Sequence, residues 1–284
     1  MFERSIQLLS CEFSVSTNAE PVVRWLDGVR PNAVQDHPVS RRHRLEVHRE
    51  DGGYRVLEDG ADHGLITGLE EAGALVERRL HELAFGALAE YTKIHAGCAT
   101  WRGRRFLVVG HGRAGKTTLM TRLLVDGFSV EGDEMVLVRN GCVVAYPRRF
   151  GIRRRTLDLV PQVGVLAPHL SGALAANEPD GYQILALDPS QLGLPWRIGS
   201  GPAEVLLLLD GRHAGPTEAR ACPDHLMVRG VIAQSSPPST GRAAWVRDVC
   251  TVVRGAASYW LTLGDLDSAV SVVRQCAEAP ATRA

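Results

Sequence analysis

Gly110-His111-Gly112-Arg113-Ala114-Gly115-Lys116-Thr117, entered from the apolar run Phe106-Leu107-Val108-Val109, is the stretch on which the fold turns. It fits the pattern G-x-x-x-x-G-K-S/T in the context that pattern requires, a strand feeding a glycine-rich turn and then a helix. Glycines let backbone N–H groups converge on phosphate oxygens, and the helix beginning near Lys116 adds the positive end of its dipole at the same spot. In such a loop Lys116 holds the β- and γ-phosphates, Thr117 ligates magnesium and Thr118 offers a second hydroxyl. A user of nucleoside triphosphates is the leading expectation.

The same residues satisfy a second pattern, because Gly110-x-Gly112-x-x-Gly115 is the fingerprint of a dinucleotide-binding Rossmann unit. Thr118 to Leu124 reads as a helix, Gly127 as its stop and Phe128-Ser129-Val130 as a strand ending near Glu131 and Asp133, where a ribose-binding carboxylate belongs. Lys116-Thr117-Thr118 weighs against that alternative: a dinucleotide loop continues into its helix with apolar or small residues, whereas a lysine and two hydroxyls serve phosphate and metal.

Composition narrows the field. The chain has 284 residues, 45% of them hydrophobic, enough for one large domain or two modest ones. Lys+Arg and Asp+Glu stand at 32 each, so no overall field favours nucleic acid or an anionic membrane as partner. The six cysteines (Cys11, Cys98, Cys142, Cys222, Cys250, Cys276) show no C-x-x-C or metal-type spacing, which fits reduced thiols. There is no long apolar run of membrane-spanning length, and Met1 to Ser5 has neither the basic start nor the apolar centre of a signal peptide. A cytoplasmic location is expected.

Along the chain, residues 1–68 read as a β-rich accessory region. Ile6–Leu9, Phe13–Val15, Leu45–His48 and Tyr54–Leu57 are its apolar strands, the last two joined at Asp51-Gly52-Gly53, with a short helix over Pro21–Gly28. Leu69 to Lys93 carries apolar residues at helical spacing (Leu69, Ala72, Val76, Leu80, Leu83) and is predicted to be a long amphipathic connecting helix. Residues 94–276 form the domain around the glycine loop. There His95–Thr100 and Phe106–Val109 flank a turn, Glu134–Val138 and Cys142–Ala145 flank Asn140-Gly141, and Glu204–Leu209 and Tyr259–Leu263 are buried strands. The Asn-Gly hairpin predicts antiparallel pairing, so the fold class is α/β with a mixed, partly antiparallel sheet. Helices are predicted at Ala243–Arg254 and Leu266–Cys276, loops with short helices over Pro161–Ser200, and a disordered tail at 277–284.

Ile94-His95-Ala96-Gly97, the loop Gly110–Thr117 and Asp126-Gly127-Phe128-Ser129-Val130-Glu131-Gly132-Asp133-Glu134 together resemble the C-terminal catalytic domain of HPr kinase/phosphorylase. That family carries an I-H-G or H-A segment, then G-x-x-G-x-G-K-S/T, then R-G-H/F-x-L-x-x-D-D/E; the match covers about Lys93 to Val138. The resemblance implies a P-loop core of the HPr kinase/PEP carboxykinase-like type, ATP and Mg2+ as cofactors, and transfer of the γ-phosphoryl group to a hydroxyl. The wider group includes kinases that phosphorylate a serine of ribosomal precursor peptides, such as the lasso peptide tail kinases. A serine of a peptide or small protein is thus the expected acceptor, and a homo-oligomer the expected assembly.

Carried over residue by residue, Asp133 matches the family's first aspartate, the general base on the acceptor hydroxyl. Its own chemistry also suits a magnesium-orienting acid. Glu134 stands for the second aspartate and reaches toward magnesium, or is a solvated carboxylate. His95 matches the histidine beside the phosphate loop, and on residue type alone would be a structural histidine. One departure stands out. The family's L-E-x-R-G-x-G signature holds a magnesium-binding glutamate, but no acidic residue lies between Glu134 and Asp158, and Tyr146 to Arg155 carries five arginines. Arg148, Arg149 and Arg153 are therefore expected on phosphate or an acidic acceptor, while reverse phosphorolysis and HPr as substrate lose their basis. The remaining alternatives are a small-molecule alcohol kinase, a nucleotide-binding or ATPase module without transfer, and the dinucleotide oxidoreductase.

Overall fold

The computed structural model describes residues 1–29, 33–167, 184–211, 213 and 215–279. The chain divides into two compact units, Met1–Ala89 and Glu90–Ala284.

The first unit runs β1 (Phe2–Leu8), β2 (Cys11–Thr17), α1 (Glu20–Val29), β3 (Val34–Gln35), β4 (Arg41–Glu50), β5 (Gly53–Glu58), β6 (Ala61–Ile66) and α2 (Leu69–Ala87). Alternation in β2 buries Cys11, Phe13 and Val15 on one face and leaves Glu12 and Ser14 on the other. β1, β2, β4, β5 and β6 lie in that order; β2 and β4 are parallel, with α1 in the crossover, and the other pairs are antiparallel. Ala72, Gly73, Val76, Leu80 and Ala84 are the buried face of α2. Gly73 is there for space: a Cβ would lie 2.3 Å from the Trp25 ring of α1. The helix stops at Ala87 and not at Lys93, because Thr92–Ile94 is taken up as a strand of the second unit. β6 escapes sequence patterning, since Ala61-Asp62-His63-Gly64-Leu65-Ile66 is an exposed edge without alternation, held by the Asp62–Arg55 ion pair at 2.6 Å.

The second unit begins β7 (Thr92–Ile94), β8 (Ala96–Trp101), β9 (Arg104–Val109), α3 (Lys116–Val125), β10 (Ser129–Gly132), β11 (Val136–Arg139), β12 (Cys142–Ala145), β13 (Phe150–Arg153), α4 (Arg154–Leu159) and α5 (Gln162–Leu166). It continues β14 (Ile184–Leu187), β15 (Arg197–Ile198), β16 (Ser200–Gly201), β17 (Val205–Leu209), β18 (Glu218–Ala221), α6 (Asp224–Ala233), β19 (Ser235–Ser236), α7 (Arg242–Arg254), β20 (Ala257–Thr262) and α8 (Leu266–Glu278). One sheet has the order β10-β8-β9-β17-β20-β18, with β9, β17 and β20 parallel and the outer pairs antiparallel. A second, antiparallel sheet has the order β16-β12-β11-β7-β19.

The fold is thus mixed α/β. The expected hairpins form: Arg102-Gly103 and Asn140-Gly141 both take left-handed backbone, as two-residue turns between twisted strands require. α3 packs on the first sheet, burying Leu119, Met120 and Leu123 against Phe106, Val108 and Leu207. Of the stretch Pro161–Ser200, residues 168–183 lie outside the described residues; the rest includes α5, β14, β15, β16 and a turn of 3-10 helix at Pro189–Leu192. The last helix runs to Glu278, past the predicted end at Cys276, and 280–284 lie outside the described residues. No helix among the described residues is long and apolar enough to cross a membrane.

Candidate functional site

β9 ends in the buried run Phe106 to Val109, in register with the fully buried β17. The chain therefore leaves the sheet at the carboxyl ends of parallel strands, where open α/β sheets place their ligands. Between Val109 and Lys116 the loop turns sharply: Arg113 (φ 67°) and Gly115 (φ 90°) are left-handed, and Ala114 N–H donates to His111 O at 3.2 Å. Gly115 is needed twice over. Its φ suits glycine, and a Cβ would stand 2.9 Å from Leu263 and 3.2 Å from the His213 ring. As N-cap of α3 it offers no side chain, so no side chain caps the first N–H groups of that helix.

Lys116 is the first residue of α3 and is 6% exposed. Its ammonium lies 2.7 Å from His95 Nε2, in the single-residue break between β7 and β8. Burial lowers the pKa of Lys116, and the Asp133 and Glu134 carboxylates oppose that shift. Burial and then the neighbouring ammonium push His95 below its usual value, so the ring is neutral near pH 7.

Asp133 stands one residue past β10, whose pairing with β8 is irregular between Val130 and Gly132. It is 4% exposed. Its carboxyl is pushed up to about 6 by burial, against a hydrogen bond from Thr117 and the attraction of Lys116. Glu134 is half-exposed and pairs with Arg148 Nη1 at 2.9 Å. A continuous set of groups therefore runs from His95 through Lys116, Thr117 and Asp133 to Glu134 and Arg148.

Not every expected residue joins it. Among the described residues Arg148 is tied in through its ion pair with Glu134, and Arg153 is exposed at the end of β13 with no ion pair. Arg149 is half-buried. Thr118 lies 3.3 Å from Thr156 of α4, which docks the arginine-bearing segment against the loop helix. His111 and Gly112 are exposed, and the His111 ring is so close to Gly211 that a Cβ there would meet Nε2 at 2.4 Å.

Three neighbours of the site left no trace in the sequence. His213 reaches Gly115, Thr156 reaches Thr118, and the Gln234 carbonyl accepts from His95 N–H at 2.7 Å. Each comes from a segment distant along the chain and carries no motif. No cluster of three or more His, Cys, Asp or Glu able to hold a metal occurs among the described residues. A hydroxyl with one or two carboxylates is instead the donor set by which magnesium is held alongside phosphate oxygens.

Two residues before Asp133, Glu131 is buried as well but is fully engaged. It accepts from Thr100 Oγ1 at 2.9 Å, Arg105 Nε at 3.2 Å and Gly199 N–H at 3.1 Å, and its carbonyl accepts from Trp196.

No family model matches the chain, and no curated protein matches it. Among solved structures it is similar to the Hpr(Ser) kinase/phosphatase from Coxiella burnetii, at 10% identity and a TM-score of 0.34, over 64% of this chain and 94% of that one. So slight a likeness assigns no residue a role.

Proposed function

We propose that this protein is an ATP-dependent phosphotransferase that moves the γ-phosphoryl group to a hydroxyl, most simply a serine of a peptide or small protein. The observation that carries the proposal is the convergence, at the uncapped start of α3, of a buried lysine with a buried carboxylate that burial pushes up to about 6. Phosphoryl transfer needs little covalent chemistry from a protein; it needs positioned cations and a base for the incoming hydroxyl. Lys116 and the first amides of α3 would hold the β- and γ-phosphates, and Thr117 with Glu134 would hold magnesium, which neutralises charge on the phosphates. Asp133 would take the acceptor's proton: a carboxyl near 6 is largely ionised at pH 7 and yet basic enough to accept it. His95 would steady the lysine, and Arg148, Arg149 and Arg153 would meet phosphate or an acidic acceptor.

The serine acceptor rests on the motif resemblance, and a small alcohol would suit the same site chemistry. A cytoplasmic, homo-oligomeric enzyme with no nucleic-acid or membrane partner belongs to the same proposal. The test is transfer of label from γ-labelled ATP with magnesium into extract of the source cells, separated into polypeptides and small molecules. Label in a polypeptide, abolished by Lys116→Ala and Asp133→Asn, supports the proposal. Label among small molecules only would make this a metabolite kinase, and free phosphate only would leave an ATPase. Binding of NAD(H) indifferent to magnesium, with none of ATP, would overturn the proposal.

A further inference from the structure

Positive and negative residues balance over the whole chain but not within it. Between His225 and Gly264 stand four arginines, Arg229, Arg242, Arg247 and Arg254, and a single acid, Asp248. That acid is spent internally. It is 4% exposed and accepts from the Thr92 hydroxyl at 2.8 Å and from Asn140 N–H at 3.1 Å. All four arginines are exposed, and among the described residues no carboxylate pairs with them, whereas Arg42 is tied to Glu12 and Arg220 to Glu218. Three of the four lie on α7, whose Ala244, Asp248, Val249, Val252 and Val253 are buried. Arg242, Ala243, Val246, Arg247, Thr251 and Arg254 are exposed and fill the opposite side of the helix. At 1.5 Å per residue its three arginines span about 18 Å, the length of five or six extended residues.

This face is carried on the layer that holds the candidate site. The Thr92–Asp248 hydrogen bond joins α7 to β7, and Trp245 Nε1 donates at 2.8 Å to Ser235, which pairs with Ile94. The residue after Ile94 is His95, which meets Lys116. We propose that the arginine face of α7 is a docking surface for an acidic polypeptide segment, one that flanks the hydroxyl receiving phosphate. Guanidinium groups bind carboxylates in bidentate pairs, and a surface of one sign draws an oppositely charged partner and turns away a like one. A membrane surface would ask for large apolar residues at the centre of such a face, where this helix has Ala243 and Val246. Single-stranded nucleic acid would ask for exposed aromatic platforms. The one aromatic of α7, Trp245, is half-buried with its N–H given to Ser235. That the docked segment belongs to the acceptor rests on the function proposed above; the charge of the partner does not.

Fluorescence anisotropy on the full chain tests this with two labelled peptides, one of alternating glutamate and alanine around a single serine, the other with lysine for glutamate. The acidic peptide should bind, the basic one should not, and binding should fade as salt rises toward about 1 M. The triple variant Arg242→Gln/Arg247→Gln/Arg254→Gln should bind roughly tenfold to a hundredfold more weakly, at about two- to fivefold for each exposed charge pair, with its melting temperature unchanged. Arg220→Gln is the control and should bind as wild type. Equal binding of both peptides by wild-type protein would overturn the proposal whether or not any variant folds, and so would undiminished binding by the triple variant. Preference for single-stranded DNA or phosphatidylserine vesicles, lost in that variant, would overturn the polypeptide partner. If the acidic peptide docks on α7 and ATP labels no polypeptide, the kinase proposal falls and the docking surface stands. Transfer to an acidic peptide with KM unchanged in the triple variant would sink the docking surface and leave the kinase.

Discussion

Replacing Asp133 with Asn should make the protein more stable while it abolishes transfer. A carboxyl moved from 3.8 to about 6 on folding has its ionised form disfavoured in the folded state. At pH above both values that amounts to ~3 kcal/mol. Because the folded value is the higher one, the stability linked to this proton is complete below 3.8 and is lost as pH rises through about 6. Asparagine has no proton to lose. It does take one carboxylate from the buried Lys116, which should trim the net gain at pH 7.5 to ~1–2 kcal/mol. For a chain of this size that is an upward shift in melting temperature of roughly 5 °C. Calorimetry of wild type and Asp133→Asn between pH 4 and 8 should show two curves close together at pH 4, diverging up to pH 6 and parallel above it. Curves parallel throughout would mean that Asp133 is not held against ionisation, and an Asn variant melting lower at pH 7.5 would mean that the carboxylate is a structural ion-pair partner. Either result would remove the basis for its use as a base.

Lys116→Met should lose phosphate affinity and transfer together, by roughly 3–4 kcal/mol of barrier, as for other preorganised donors at a developing charge; single-turnover kinetics reads the loss, and a fall of less than tenfold would refute the assignment. Glu134→Gln breaks an ion pair whose partners are both about half exposed, so denaturant midpoints should move by less than ~1 kcal/mol. The same variant should need several-fold more magnesium for half-maximal transfer, and an unchanged magnesium titration would assign Glu134 to Arg148 alone. Glu131→Ala strands Arg105 in the interior and should cost ~3–5 kcal/mol of stability. Its residual folded fraction should bind nucleotide normally, and a selective loss of binding would make Glu131 part of the site.

The glycine loop, the helix behind it and the buried strands beside it are legible because local sequence alone decides them; that β9, β17 and β20 pair in parallel is not. Phe106 to Val109 is a buried run, Gly115 is required for its backbone, and Asn140-Gly141 can hardly do other than turn a hairpin. What local pattern does not carry is long-range pairing. Thr92-Lys93 falls within the helix as read from sequence, and Ile94 directly follows it. The three residues become strand because β11 and β19, from positions 136–139 and 235–236, pair with them on both sides. The same absence hides Gln234, Thr156 and His213: their importance lies in what they touch, and glutamine, threonine and histidine in a loop or helix end carry no spacing of their own.

Glu131 and Asp133 show why motif and geometry must be combined. Both acids follow the same glycine-stopped helix, both are under 5% exposed, and sequence alone gives either one the right distance from Lys116. The structure separates them by hydrogen bonding. Glu131 receives Thr100, Arg105 and a backbone amide, a closed arrangement whose chemistry is used up in joining β8, β9 and the Gly199 turn. Asp133 receives the Thr117 hydroxyl and the field of a lysine, which fall short of offsetting its burial, so it keeps an affinity for a proton. A buried acid left short of compensation is costly to fold, and such costs concentrate where a group must act on something that arrives later. On the proposed function that group, at the end of β10, would be Asp133, and what arrives would do so beside Lys116.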